Sequence, residues 1–451
     1  MSDALLTDLY ELTMMAGYVA DGRSEDTATF DLYFRHPPRG VDIVVAAGLD
    51  PVLDYLENLA FTDDDLAYLD SLDLFDDDFL HYLSRLRFTG SVWAIPEGLP
   101  VFGDEPLLRV TAPLAQAQLI ETALLNRVCY SSLVASNAVQ IRQAARGKQV
   151  MEFGARRAHG PNGALTASRA ALIGGCTATS NVAAGAAYGA VVAGTQAHAW
   201  VMAYPNELEA FRAYARAFPR SCVLLVDTYD TLRSGIPNAI VVGHELAAAG
   251  HRLAGVRLDS GDLGMLAEAA RRMLDEAGLT DVKILASGDL DAAAIAALEE
   301  QGAPIDGYGV GTALVTARND PTFSGVYKLA AIGDQPVVKI SGTPAKTTSP
   351  GVKQVWRGED GDVIGLADED RDGEPLLVEA MRDGRRLHDP VPLDELRERC
   401  CAAVDKIRPL VLTGRWSVRR STRLDELRTR LVREMGGHLD DEDAAETAEA
   451  D

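Results

Sequence analysis

At 451 residues the chain is too long for one ordinary domain, and 47% hydrophobic with 24% charged residues is a globular balance that supplies a sizeable core. A formal net charge of −24 with no Lys/Arg-rich run excludes a nucleic-acid-binding surface, because phosphate recognition needs clustered cations. No apolar run approaches the ~18 residues of a membrane span, and MSDALLTDLYELTMM lacks the basic start of a secretory signal, so a soluble, cytoplasmic protein is expected.

In chain order, Leu5 to Tyr18 has helical spacing and Thr29 to Phe34 alternates like a strand. Val41 to Ala47 and Ser91 to Pro96 are short apolar runs suited to strands. Asp63 to Asp78 reads as an acidic surface helix, and Leu114 to Arg142 as one long helix free of Pro and Gly. The character changes near residue 149. Short apolar runs (QVMEFGARR, AVVAGTQAH, CVLLVDTYD, LAGVRLDSGD, VKILASGDL, IDGYGVGT) then alternate with Ala/Leu-rich helical patterns. Their polar ends fall at Thr195, Asp227, Asp259, Asp289 and Thr312, roughly 30 residues apart, the length of a strand, loop and helix. This predicts a βα series on a parallel sheet, closed most simply as a barrel.

After Lys328 three runs, LAAIGDQPVVKIS, KQVWRGEDGDVIGLA and EPLLVEAMRDGRR, read as meander hairpins, and Pro390 to Met435 as helical and charged. The expected division is a discontinuous α+β domain, 1–130 plus 340–435, an α/β barrel at 131–339, and an acidic, disordered tail at 436–451. The five cysteines have no CxxC spacing, so reduced, buried thiols are expected rather than a zinc site.

The chemistry-bearing residues follow the strands, on the face where parallel α/β folds build their sites. One such Asp or Thr is more often a helix cap; five in register argue for a site. In Glu152-Phe153-Gly154-Ala155-Arg156-Arg157 the arginines offer guanidinium forks for carboxylate or phosphate, and Phe153 a stacking face. Gly174 to Asn181 is small-residue-rich, equally a plain turn and N-cap. His198, in GTQAHAW, stands a few residues past a run and is read opposite Asp227, whose carboxylate would fix the tautomer and favour the cation; a lone histidine is otherwise usually a core or capping residue. The acidic ends DTYDT, RLDSGD and SGD suit ribose hydroxyls and Mg²⁺, and Arg257 suits phosphate. A sugar aldolase of barrel fold would share these features, but no lysine is placed for a Schiff base. GVGT and the later KTTSPG are weak phosphate-loop signals.

Taken together, LLTDLYELTMMAGY, FDLYFR, EFGARRAHGP, GGCTATSNV, GTQAHAWV, DTYDT, GVRLDSGDL, ASGDLD, GVGTALVT and GVYKLA closely resemble the nicotinate phosphoribosyltransferases, in the family's order over roughly residues 5 to 353. The resemblance implies a type II phosphoribosyltransferase: an irregular α/β barrel with a discontinuous, sandwich-like second domain, usually a homodimer with its active site at the interface. It implies that nicotinate and 5-phosphoribosyl 1-diphosphate give nicotinate mononucleotide and diphosphate, with ATP hydrolysed, in NAD salvage. By resemblance His198 is phosphorylated by ATP and oriented by Asp227. Phe153 and Tyr10 sandwich the pyridine ring, Tyr10 reaching in from the partner subunit. Arg156 and Thr195 hold the nicotinate end, while Arg257, Asp259, Gly288, Asp289, Gly311 and Thr312 hold ribose and phosphates. Thr348 is a further phosphate contact, and Asp259 and Asp289 would ligate Mg²⁺. Thr177 stands where nicotinamide-using relatives place an aspartate, which favours the acid over the amide. The residues after Arg35 (HPPRG) look atypical. The competing expectations are a sister transferase using nicotinamide or quinolinate, and a catalytically silent barrel acting as a binding protein.

Overall fold

The computed structural model describes residues 3–341 and 347–436, so all but the first residue of the expected tail lies outside the described residues. The chain divides into two compact units. The first is assembled from three stretches: the chain up to Leu133, Thr322–Val391, and the chain from Arg399 onward. The second takes Val134–Pro321 and Pro392–Glu398.

The first unit is built on a seven-stranded antiparallel sheet in the order Gln335–Pro336, Gly325–Ile332, Thr27–Phe34, Leu108–Pro113, Ser91–Ala94, Val378–Arg382, Arg385–Arg386. Thr27–Phe34 pairs on one side with Leu108–Pro113 and on the other with Gly325–Ile332, and apart from Thr27 it is buried throughout. Phe30 stacks on Tyr327 across that second pairing, with ring centroids 4.8 Å apart. Burying each ring contributes about 1.5–3 kcal/mol, and the stacking geometry adds about 0.5–1.5 kcal/mol. Asp31 lies in the same buried strand and is tolerated there because Lys353 Nζ pairs with it at 2.7 Å. A smaller sheet of Glu374–Pro375, Lys353–Arg357, Gly361–Leu366 and Ser417–Arg420 holds the second of the expected hairpins.

Several expected elements are adjusted here. The unit boundary falls at Pro321/Thr322, not after 339, because the strand Gly325–Ile332 pairs with Thr27–Phe34. The long helix is two, Leu114–Leu119 and Glu121–Ala144. The buried Glu11 carboxylate takes the Thr122 amide at 3.1 Å and its hydroxyl at 2.8 Å, next to the break. The acidic segment also forms two helices, Asp63–Asp70 and Asp77–Arg85, each capped by its own residue, Thr62 and Asp76.

The second unit is a parallel half-barrel of six strands in the order Ala178–Thr179, Gln149–Glu152, Gly307–Val310, Lys283–Ala286, Gly255–Leu258, Val223–Leu225. Strands such as Gly307–Val310 are wholly buried, which is why their sequences are apolar without alternation. One expected strand is a loop: in AVVAGTQAH only Val192 makes a bridge, to Thr179, while Val191 and Val192 are 61% and 49% exposed. The two-residue strand Ala178–Thr179 occupies the edge instead, and His198 is carried on a five-residue helix, His198–Met202, beyond the loop.

Candidate active site

Apart from Thr195 and His198, the expected site residues of the second unit follow the ends of successive parallel strands. Gln149–Glu152 leads into Phe153 and the 3₁₀ turn Ala155–Arg157. Its carboxyl-terminal residue, Glu152, is fully buried and holds three partners: the Gly154 amide, Ser168 Oγ at 2.8 Å and Thr179 Oγ1 at 2.5 Å. A buried carboxylate with its acceptor sites filled is a fixed post, and here it sets the path of the Phe153–Arg157 turn. The Phe153 ring lies over Gly309 so closely that a methyl group there would meet it at 2.4 Å. Arg156 and Arg157 are exposed, and neither side chain has a hydrogen bond or ion pair among the described residues. In a chain of −24, two uncommitted guanidinium groups at a strand end make a place for an anion.

Beside them Arg257 is mostly buried. Its Nε donates to Thr195 Oγ1 at 2.9 Å, its Nη1 to Asp259 Oδ1 and Ser287 Oγ at 2.8 and 2.9 Å, and its Nη2 to the Gln196 carbonyl at 3.3 Å. Burial pulls its pKa below the ordinary arginine value; Asp259 and Asp227 oppose that shift, and the neighbouring Arg156 reinforces it. Two guanidinium groups sharing a site in this way favour an anion between them.

His198 is 40% exposed at its side chain. Its Nδ1 lies 3.2 Å from Thr228 Oγ1 and its Nε2 3.7 Å from Asp259 Oδ2. The expected orienting partner, Asp227, is instead turned to the next strand end: its Oδ2 accepts from the Asp259 amide at 3.0 Å and from Ser260 Oγ at 2.6 Å, while Oδ1 is buried without a partner. The loop, not a strand, delivers His198, so the imidazole meets Thr228 and Asp259 rather than Asp227.

Gly288 (φ +91°) approaches so close to Asp259 that a Cβ would lie 1.9 Å from its carbonyl oxygen, so only glycine fits. Asp289 also has positive φ, at +37°, and both its oxygens take Arg318 Nη1 at 2.8 Å. Asp259 Oδ1 is likewise committed, accepting from Arg257 and from Ser287 Oγ at 2.5 Å. Of the two carboxylates expected to share magnesium, Asp289 is thus held by Arg318, while Asp259 keeps Oδ2 open apart from His198 at 3.7 Å. Gly311 and Thr312 close the set at the end of Gly307–Val310, opening the short helix Thr312–Thr316. Thr177 Oγ1 donates to the Val150 carbonyl at 3.3 Å and offers no anionic acceptor.

Tyr10 and Thr348 belong to the first unit. Tyr10 lies on the helix Leu9–Ala20, 47% exposed, one turn before exposed Met14. Desolvation, then Glu121, Glu11 and Asp8, push its phenol above the ordinary value, so it is a neutral ring. Thr348 is buried, and its Oγ1 accepts from the Lys339 amide at 2.9 Å, which leaves its hydroxyl proton to donate. Its neighbours Thr347 and Ser349, with Arg35, Lys353 and Arg420, line a cavity of about 200 Å³. Residues the sequence reading passed over are Thr228, Ser260, Ser287 and Glu152, all inside the recognised motifs, and Arg318, for which no motif gave a signal.

The half-barrel and its strand-end site define the type II phosphoribosyltransferase fold. The N-terminal domain of nicotinate phosphoribosyltransferase (NAPRTase) matches residues 5–129, and the NAPRTase family matches residues 148–399. The chain is 49% identical to a nicotinate phosphoribosyltransferase of Bacillus subtilis over 379 residues, 81% of this chain and 76% of that one. It is 44% identical to one of Mycobacterium tuberculosis over 414 residues, covering 90% and 88%. The crystal structure of human nicotinic acid phosphoribosyltransferase superposes with a TM-score of 0.84 at 33% identity, covering 94% of this chain and 99% of that one. The chain belongs to the nicotinate phosphoribosyltransferase family. Among the described residues no helix is long and apolar enough to cross a membrane.

Proposed function

We propose that the chain joins nicotinate to the phosphoribosyl group of 5-phosphoribosyl 1-diphosphate in the cytoplasm, releasing diphosphate and forming nicotinate mononucleotide for NAD salvage, with one ATP hydrolysed to ADP and phosphate. The observation that carries this reading is the convergence of two guanidinium groups, Arg156 and Arg257, with the Phe153 ring and His198 at the ends of one parallel sheet. Arg156 is an open fork for the nicotinate carboxylate, Phe153 a face for its ring, and Thr195 is fixed by Arg257.

In this reading the ring nitrogen attacks ribose C1 as the bond to the diphosphate oxygen breaks. Positive charge develops on the sugar and negative charge on the leaving group. Arg257, desolvated and clamped by Asp259, Ser287 and Thr195, is preorganised to face the leaving charge without rearranging. His198 takes the γ-phosphoryl of ATP: a P–N bond forms, the bond to the β-phosphate oxygen breaks, and ADP leaves. Water later cleaves the P–N bond and releases phosphate. Coupling then rests on the different affinities of the two forms for substrates and products. Asp259 and Asp289, released from their arginine partners, would hold magnesium, which would offset the negative charge of the phosphate substrates. Thr177 favours the acid over the amide. Tyr10 completes the ring sandwich from the partner subunit of a homodimer.

The test is formation of nicotinate mononucleotide with and without ATP, for the wild type and His198→Ala. ATP should accelerate the wild type, and His198→Ala should lose that acceleration. If nicotinate is inert while nicotinamide or quinolinate reacts, the substrate assignment falls. If none reacts, the reading as an enzyme falls with it.

A further inference from the structure

The strand Val223–Leu225 is an edge of the parallel sheet. It pairs with Gly255–Leu258 on one side only. Residues two apart on a strand direct one carbonyl and one amide to the same side, so Val223 O and Leu225 N, flanking the rung made by Leu224, form the open half of a ladder ring. A buried edge left in this state would carry two unsatisfied backbone groups.

Gln196 occupies that position. It is 6% exposed. With its amide oriented to satisfy both neighbours, Nε2 donates to Val223 O at 2.8 Å and Oε1 accepts from Leu225 N at 3.1 Å; the opposite orientation would set oxygen against oxygen and nitrogen against nitrogen. A primary amide presents one donor and one acceptor side by side, as the backbone of a neighbouring strand does. The Gln196 backbone is engaged at the same time. Its carbonyl accepts from Arg257 Nη2 at 3.3 Å and Thr195 Oγ1 at 3.0 Å, and the Tyr214 hydroxyl lies near its N–H. The segment between Thr195 and His198 therefore hangs on the sheet edge through one side chain. Upstream, the same loop is bridged through its backbone at Val191 and Ala193 to Thr179, on the opposite edge of the sheet.

We propose that Gln196 is a positioning residue of the active site: its side-chain amide substitutes for the missing strand beside Val223–Leu225, and so holds the loop that presents Thr195 to Arg257 and delivers His198 to Thr228 and Asp259. The assignment of catalytic consequence rests on the function proposed above; the strut itself does not.

Two variants test it. Gln196→Ala removes both bonds. Gln196→Glu keeps the acceptor for Leu225 N but sets a carboxylate oxygen against the Val223 carbonyl, until the carboxyl takes a proton and again donates. Around it, Arg257 and Tyr214 contact the residue's backbone, and Cys222 precedes Val223 in the chain. Wild type is followed in parallel, so the ratio of variant to wild type isolates the new carboxyl. Hydrogen exchange at the Leu225 amide should quicken at least about tenfold in Gln196→Ala, since an edge amide loses its acceptor. Turnover of Gln196→Ala should fall about ten- to a hundredfold at every pH, as expected for a misplaced catalytic loop. Relative to wild type, Gln196→Glu should recover at least about tenfold as pH falls from about 9 to about 5.5, because protonation restores the donor. Unchanged Leu225 exchange in folded Gln196→Ala overturns the proposal, and so does a Gln196→Glu ratio flat with pH. If Gln196→Ala does not fold, the Gln196→Glu profile decides alone. If the wild type makes no nicotinate mononucleotide, the functional reading fails while the exchange measurement still judges the strut.

Discussion

Thr228 and Gly288 show how much of the candidate site is fixed by small residues that carry no obvious chemistry. Thr228 supplies the hydrogen-bond partner of His198 Nδ1. Thr228→Val keeps the shape and deletes the hydroxyl, so ATP-stimulated turnover is expected to fall about ten- to a hundredfold, with Thr228→Ser restoring it. Initial-rate measurements with and without ATP check both halves. Gly288→Ala faces a positive φ and the Asp259 carbonyl at 1.9 Å. It should destabilise the fold by more than about 1 kcal/mol in denaturant titrations and displace Asp259 from Arg257. At this scale the sequence was legible in kind but not in pairing. Arginines, acids and glycines at strand ends announce an anion-handling site, and the structure collects them there. That Asp259 rather than Asp227 lies by His198 is not legible, because partner choice depends on the loop path between Gly189 and His198, and a loop has no periodicity to reveal its course. Arg318 escaped notice for the same reason: nothing local distinguishes an arginine that chelates Asp289 from one on the surface.

Among the elements, the parallel series was readable because each strand is buried on both faces and shows as a short apolar run with a polar end. The one failure, AVVAGTQAH, has the composition of a buried strand but meets the sheet only in a bridge at Val192; composition does not encode neighbours. Break points within helices were equally hidden, since the carboxylate beside the break at Ile120, Glu11, lies far away in sequence. The strand pair Lys353–Arg357 and Gly361–Leu366 contains a measurable device of its own. Arg357 clamps Asp362 at 2.6 and 2.9 Å, and Glu105 is fully buried against that pair. Burial, then the Asp362 charge, raise the Glu105 carboxyl well above its ordinary 4.5. A carboxyl whose folded value is raised gives its full stability below about 4.5 and loses it as pH climbs toward the folded value, because the unfolded chain releases its proton first. Glu105→Gln keeps a donor toward Asp362 and does not titrate. Its stability relative to wild type should therefore rise with pH from about 4.5 upward, read from urea unfolding midpoints across the range. A difference independent of pH would show that Glu105 is charged in the folded state.

For the molecule as a whole, a Tyr10 supplied by a partner copy would make the proposed site depend on two copies of the chain. In a dimer with isologous symmetry, each site would take Tyr10 from one copy and His198 from the other. Tyr10→Ala and His198→Ala homodimers should each be impaired. After mixing, unfolding and reassembly, hybrid dimers carry one intact site and one doubly altered site, so ATP-stimulated activity should return to about a quarter of wild type at equal mixing. Failure of the mixture to exceed its parents, with hybrids demonstrated by a tag, would place Tyr10 and His198 in the same copy's site or in none. The net charge of −24 also belongs to this scale: it drives the copies apart at low salt, so the hybrids should assemble more readily at about 0.15 M salt, where the screening length is about 8 Å.

The strand Thr27–Phe34 sits between Leu108–Pro113 and Gly325–Ile332, so the sheet it anchors draws on chain made early and chain made late. During vectorial synthesis on the ribosome, every strand of the half-barrel, up to Val310, is made before Tyr327 arrives to cover Phe30. Once Leu108–Pro113 has been made, the nascent chain must therefore carry an unfinished sheet edge and an uncovered aromatic face while some two hundred further residues are added, at about 5–20 residues per second. For those tens of seconds the first-made part of the protein is its most aggregation-prone part, and a holdase would find its binding site there.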